Sequence, residues 1–247
     1  MKKILILLAV LLAGTYVKAQ TLEEATGAYS KGEFGKAVEI YEKLLETKGE
    51  SAELYYNIGN CYYRLNKTAP AILNYERALL LNPGDKDTRT NLEIARLKVI
   101  DRIEPVGDFF LIEWLQSIQN LLSTNAWSYL GIICFLFLIG CLVLFFFSRK
   151  IILKKCGFYV GIVIIVLCIS ANIFAHNQKK KLNNRNTAIV FAPTVTIKST
   201  PDNSGTDLFV LHEGVKVVIK SKLGNWNEIE IADGNIGWIK SEDIVII

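Results

Sequence analysis

The sequence predicts a multidomain membrane protein: an all-α repeat region, a two-helix transmembrane hairpin and a small all-β barrel, in that order. Three observations predict it. Two segments between Ala28 and Pro83 superpose when shifted by 34 residues, two long uncharged runs follow, and from Ala188 onward the apolar period drops to two. Half of the 247 residues are hydrophobic (51%) and mean hydropathy is +0.29, high for a soluble chain.

The first nineteen residues have a secretory layout. Lys2 and Lys3 precede an apolar stretch from Ile4 to Ala13, and Val17-Lys18-Ala19 offers small residues at the −3 and −1 positions. Cleavage is expected after Ala19; an uncleaved anchor is the alternative. Either way the following segment is exported. The net charge of +4 does not point to nucleic acid. Residues 20–104 hold twelve basic and fourteen acidic side chains, and residues 186–247 hold five and eight. The positive excess therefore lies in the leader and beside the apolar runs, where it orients a chain in a membrane.

In the repeat, Ala37 to Tyr41 aligns with Ala71 to Tyr75, and Ala28-Tyr29 with Tyr62-Tyr63. This period and apolar spacing mark tetratricopeptide repeats. In the second copy Tyr55, Ile58, Gly59 and Tyr62 take the signature places of helix A, and Ala71, Tyr75, Ala78 and Pro83 those of helix B. Gly59 and Ala71 are small where the helices of the pair touch, and Pro83 stops helix B. The first copy is weaker, with Ala25 at the Gly position and Gly49 at the Pro position. A helix over Lys86–Ile103 begins in register but has no partner, and is expected to cap the array. Such arrays generally bind peptides along helix A, which here presents Glu53, Tyr56, Asn60, Tyr63 and Arg64. Asn60 suits a peptide backbone and Arg64 a carboxylate; plain solvation of all five is the competing reading. Cys61 falls on a small packing position, which favours packing over redox chemistry.

Trp127–Phe147 contains no charge, and at 1.5 Å per residue its 21 residues span roughly 31 Å, enough for a hydrocarbon core. A second run covers Cys156–Ala175. Trp127 and Tyr129 stand where an aromatic belt belongs. Between the runs, SRKIILKK carries Arg149, Lys150, Lys154 and Lys155 with no acid, as cytoplasmic loops do. Lys179, Lys180, Lys181 and Arg185 follow the second run, so charge alone ties and the export signal decides: repeats outside, loop inside. Ahead of the hairpin, Phe110, Leu111, Trp114, Leu115, Ile118, Leu121 and Leu122 recur at helical spacing opposite Glu113, Gln116, Ser117 and Asn120. This is an amphipathic helix lying in the outer interface or packed on the repeats.

The last sixty residues read as short strands, AIVF, TVTIKS, LFVL, VKVVIK, WNEIEI, IGWIK and DIVII, broken by Gly, Asp and Asn. Gly214, Trp226, the turn Asp233-Gly234 and Gly237-Trp238-Ile239 resemble bacterial SH3-like domains. Alternation puts Trp226, Glu228 and Glu230 on one, wet, face. That face suits a basic or Pro-rich peptide or a sugar, unless lysine or loop atoms of the same domain cover the ring. Trp238 is expected to be buried where its strand closes the barrel.

No metal-ligand spacing surrounds His176 or His212, and no CxxC, phosphate loop or GxSxG occurs. Four of the five cysteines lie in or beside the apolar runs. The expectation is a protein that is not an enzyme, with no cofactor.

The sequence order is thus signal peptide (1–19), repeats (20–50 and 51–84, cap 86–103), interfacial helix (105–125), spans 126–148 and 156–176 around a 149–155 loop, basic linker (177–186) and SH3-like domain (187–247). With NLEIARLKVIDRIEP leading into the interfacial helix, it resembles the BatE family of bacterial aerotolerance operons over nearly the whole chain. The resemblance implies an inner-membrane protein with periplasmic domains. Its partners would be Bat proteins carrying von Willebrand factor A-type domains and a MoxR-type ATPase system. Two readings follow: an envelope scaffold joining a membrane complex, or a receptor whose SH3-like domain binds peptidoglycan or peptide.

Overall fold

The computed structural model describes residues 22–104, 106–107 and 109–247; the expected export signal lies outside the described residues. The chain forms two compact units. Of the described residues, one holds 22–80 with Asp85–Gly107 and Asn186–Ile247; the other holds Leu81–Gly84 and Asp108–Arg185.

In the first unit, helices α1 (residues 22–30), α2 (Phe34–Lys48), α3 (Ala52–Arg64), α4 (Thr68–Leu81) and α5 (Lys86–Arg96) follow one another. Helix α3 buries Leu54, Ile58 and Cys61, one stripe of a 3.6-residue period, against Ala37, Val38, Tyr41 and Leu44 of α2 and Ala25 and Ala28 of α1. Pro70 sits in the first turn of α4, where no intrahelical bond is lost. Asp85 caps α5 by accepting from the backbone N–H groups of Asp87 (3.0 Å) and Thr88 (3.1 Å).

Helix α5 ends at Arg96 rather than reaching Ile103. The chain leaves the helix because burial competes with it: Val99 and Ile103 pack against the core of the sheet instead. Asp101 fastens this strap, accepting from the His212 backbone N–H at 2.7 Å and meeting His212 Nδ1 at 2.9 Å.

Seven strands appear where the alternation places them: β1 (Thr187–Val190), β2 (Thr194–Lys198), β3 (Asp207–His212), β4 (Lys216–Leu223), β5 (Trp226–Glu230), β6 (Ile236–Lys240) and β7 (Ile244–Ile246). They make one antiparallel sheet in the order β3-β2-β6-β5-β4-β1-β7. The sheet is not a closed barrel, since β3 and β7 are its two ends. Strand β2 gives its ladder to β3 and meets β6 at the single register pair Lys198↔Trp238. Trp238 also departs from expectation: it is half-buried, because β6 alternates and turns Gly237 and Ile239 inward. A Cβ at Gly237 would collide with Ile197, so only glycine fits there. Gly214 holds the β3–β4 turn at φ +92°, a conformation that favours glycine, and a Cβ there would stand 2.8 Å from Val99.

Sheet and repeats share a core. Ile189 and Ile247 are fully or almost fully buried among Ala71, Ile72, Leu92 and Ala95, flanked by Phe191 and Val245. Glu76, itself buried, accepts from Arg96 of α5 and, at 2.7 Å, from Lys216 of β4. Arg77 donates to the Ile246 carbonyl at 2.7 Å. The sheet thus covers the face of α4 and α5 that a further helix pair would cover in a longer array.

The second unit contains α6 (Phe110–Gln119), α7 (Thr124–Phe147) and α8 (Ile151–Asn184). Helices α7 and α8 pair and are long and apolar enough to cross a membrane, by length and composition. Small residues bring them together: Gly157 and Gly161 of α8 lie against Cys141 of α7, and a Cβ at Gly157 would fall 2.8 Å from the Cys141 carbonyl. The basic loop is shorter than its sequence suggests, since α8 starts at Ile151 and already carries Lys154 and Lys155. The basic linker is helical as well, because nothing between Ala175 and Asn184 breaks the helix and Lys propagates it. Trp127 is buried against Phe174 with ring centroids 5.0 Å apart, whereas Tyr129 is exposed.

Candidate protein-binding surfaces

On α3, side chains four residues apart stack on one face, and Tyr56, Asn60 and Tyr63 turn toward the α5 side. Asn60 Oδ1 accepts from the Tyr75 hydroxyl at 2.8 Å and from Asn91 Nδ2 of α5 at 2.9 Å. Tyr56 OH accepts from the same Asn91 amide at 3.4 Å, and Lys98 Nζ stands 4.0 Å above the Tyr63 ring. Three of the five predicted residues are therefore half-buried and knit to the capping segment. Glu53 and Arg64 are exposed; the Arg64 guanidinium lies 4.9 Å over the Phe34 ring, which leaves its edge donors outward. Asn91 and Lys98 join this face from outside the sequence-predicted set. Extending the 34-residue register by one more helix A is the signal that finds them.

Behind this face the groups are held neutral. Burial pushes the Cys61 thiol up to about 11, so it is a packed thiol and not a nucleophile. Burial, with the hydrogen bond to Glu42, pushes Tyr62 up to about 12. Burial also raises Tyr75.

On the sheet, Trp226, Glu228 and Glu230 share a half-buried face while Asn227 and Ile229 point inward. The three do not form one cluster. Glu228 accepts from the Ser221 hydroxyl at 2.8 Å, Glu230 pairs with Lys220, and Lys240 Nζ stands 5.9 Å from the Trp226 ring centroid. Trp226 instead lines an open pocket of about 420 Å³ with Asn203, Asn225, Lys240, Ser241 and Glu242. A larger cleft, about 620 Å³, runs between the strap and the sheet, with Arg96, Arg102 and Lys216 around an apolar floor of Val99, Val215 and Ile231.

Comparison with known proteins locates a Tetratricopeptide repeat at residues 52–85, which is α3, α4 and the residues leading into the α5 cap. Curated relatives include Tetratricopeptide repeat protein 16 of Macaca fascicularis and of Homo sapiens, each 29% identical over 75 residues. Those matches cover 30% of this chain and 9% of either relative, so the chain spans less than a tenth of their length. Among solved structures, MamA is 15% identical, with a TM-score of 0.28 over 64% of this chain and 96% of that one. Tetratricopeptide repeats are protein-interaction modules, and the repeat at residues 52–85 gives this chain a surface of that kind.

Proposed function

We propose that the chain is a non-enzymatic scaffold of a bacterial inner-membrane complex, resembling the BatE family. In this reading α7 and α8 cross the bilayer as a hairpin, the 148–150 turn is cytoplasmic, and the repeats and an SH3-like module over residues 187–247 lie on the periplasmic side. The observation that carries it is the shared core. Ile72 precedes the hairpin and Ile189 and Ile247 follow it, yet they pack in one cluster. Segments in one compact unit occupy one side of a bilayer, which requires an even number of crossings between them. Two apolar helices satisfy that requirement. Partners would be von Willebrand factor A-type Bat proteins and a MoxR-type ATPase system, met through the exposed Glu53 and Arg64 of α3.

The test is purification of the detergent-solubilised full chain from its host. Recovery of those membrane partners, lost with Arg64→Glu, supports the scaffold. Their absence from both preparations contradicts it.

The second reading, a receptor for peptidoglycan or peptide, is favoured by the Trp226 pocket. An aromatic floor rimmed by Asn203, Asn225 and Glu242 suits a polar, ring-bearing ligand. Retention of wall fragments by the wild type and not by Trp226→Ala would favour it.

A further inference from the structure

Helix α6 ends in a buried polar knot. Gln178 Nε2 of α8 donates to the carbonyls of Gln119 (2.7 Å) and Leu122 (2.8 Å), and Trp127 Nε1 of α7 donates to the same Gln119 carbonyl at 2.8 Å. Thr124 Oγ1 donates to Gln178 Oε1 at 3.2 Å. Gln119 and Gln178 are almost fully buried, so leaving either unbonded is costly. The knot fixes the C-terminus of α6 to the end of the hairpin where α7 begins.

The rest of α6 shows the opposite economy. Phe110, Leu111, Trp114 and Leu115 are exposed at 66%, 47%, 60% and 47%, on one arc of the helix, while Glu113, Gln116 and Ser117 take the other, with the exposed Ile112 at the border between the two. So contiguous an apolar arc is covered by something in a working protein. Two features beside it name the cover. The helix that carries the arc is bonded at its C-terminal end to both apolar helices of the hairpin, through Gln119 with Trp127 and Gln178. The residues that follow Gln178 are Lys179, Lys180 and Lys181, exposed cations at the level where lipid phosphates lie if α8 spans.

We infer that α6 lies in the boundary between lipid headgroups and acyl chains, apolar arc inward, clamped to the hairpin by Gln119, Gln178 and Trp127. The inference rests on α7 and α8 being membrane spans. It gives the helix a function of its own, which is to fix the depth and tilt of the hairpin in the bilayer. An interfacial helix of this kind buries its apolar face about 5–10 Å into the boundary.

The full chain, with its native cysteines replaced by alanine, is reconstituted in phosphatidylethanolamine–phosphatidylglycerol nanodiscs. It is spin-labelled one site at a time through Leu111→Cys, Trp114→Cys, Leu115→Cys, Glu113→Cys and Gln116→Cys. Collisions with oxygen relative to a water-soluble nickel chelate should be several-fold higher at 111, 114 and 115 than at 113 and 116. Wetting of all five sites, or exclusion of both quenchers at 111, 114 and 115, overturns the inference; exclusion would mean that protein covers the arc. Phe137→Cys and Val163→Cys report the spans separately. Wet labels there sink the spanning reading itself, whereas lipid-facing labels there with a wet α6 sink only the interfacial helix. If the cysteine-free chain misfolds, the native chain serves with lipids brominated in the upper acyl chain. Trp114→Phe must then abolish a quenchable part of the tryptophan emission, and an unchanged quenched fraction is equally fatal.

Discussion

A Cβ placed on Gly59 would lie 2.6 Å from Cε1 of Tyr75, closer than side chains approach one another. Tyr75 cannot step aside, because it is buried and its hydroxyl is held by Asn60. Gly59→Leu should therefore force α3 away from α4, an overpacking cost of about 1–3 kcal/mol or more. The melting temperature of the full chain in detergent should fall. The control is Gly27→Ala: a Cβ there meets nothing within 4 Å, and alanine gains roughly 1 kcal/mol of helix propensity over glycine. Equal melting of the two variants would mean that the helix pair is not packed this way.

Glu76 of α4 joins the next helix, through Arg96, to the sequence-distant strand β4, through Lys216. Glu76→Ala should cost about 1–3 kcal/mol, since a buried acceptor is lost but Arg96 and Lys216 keep partial access to water. A double-mutant cycle with Lys216→Ala should show a coupling well above zero. Additive effects would mean that the Glu76–Lys216 pair contributes nothing to holding repeats and sheet together.

Trp226→Ala and Trp238→Ala should both leave the sheet folded, because both rings are half-buried on its outer face. Ile239→Ala should not. It removes a fully buried side chain from the sheet core, a loss of about 2–5 kcal/mol. Thermal melts of the three variants decide it, and unfolding by Trp238→Ala would mean that its ring belongs to the core.

Alkaline titration should weaken the repeats. Cys61 is raised from 9.0 to about 11 and Tyr62 from 10.0 to about 12, so the folded state favours their neutral forms. The stability they contribute is complete below pH 9, the unfolded thiol value, and is lost as pH climbs through that window. Cys61→Ala should flatten the decline between pH 9 and 11; an identical slope would mean that the thiol reaches solvent.

Much of this architecture is written locally. The 34-residue period names α2, α3 and α4, uncharged length names α7 and α8, and the alternation in WNEIEI turns Ile229 inward and Trp226 outward. What the sequence conceals is long-range. Val99 and Ile103 continue a helical pattern, and only the sheet they meet explains why α5 stops at Arg96. Ile189 and Ile247 look like ordinary strand residues, yet they fill the cap of the helical array. Asn60 reads as free for a peptide because its partner Asn91 belongs to the next helix, and Gln119 and Gln178 give no signal at all.

In the proposed topology the segments flanking the hairpin share one side of a membrane. Single cysteines at Lys43→Cys in the repeats, Lys222→Cys in the sheet and Arg149→Cys in the turn, each in a cysteine-free chain, are exposed to an impermeant thiol reagent in spheroplasts. Labelling of the first two and protection of the third, lifted only when the membrane is permeabilised, is the expected result. Labelling at Arg149→Cys from outside, or protection of one of the other two sites, would contradict it.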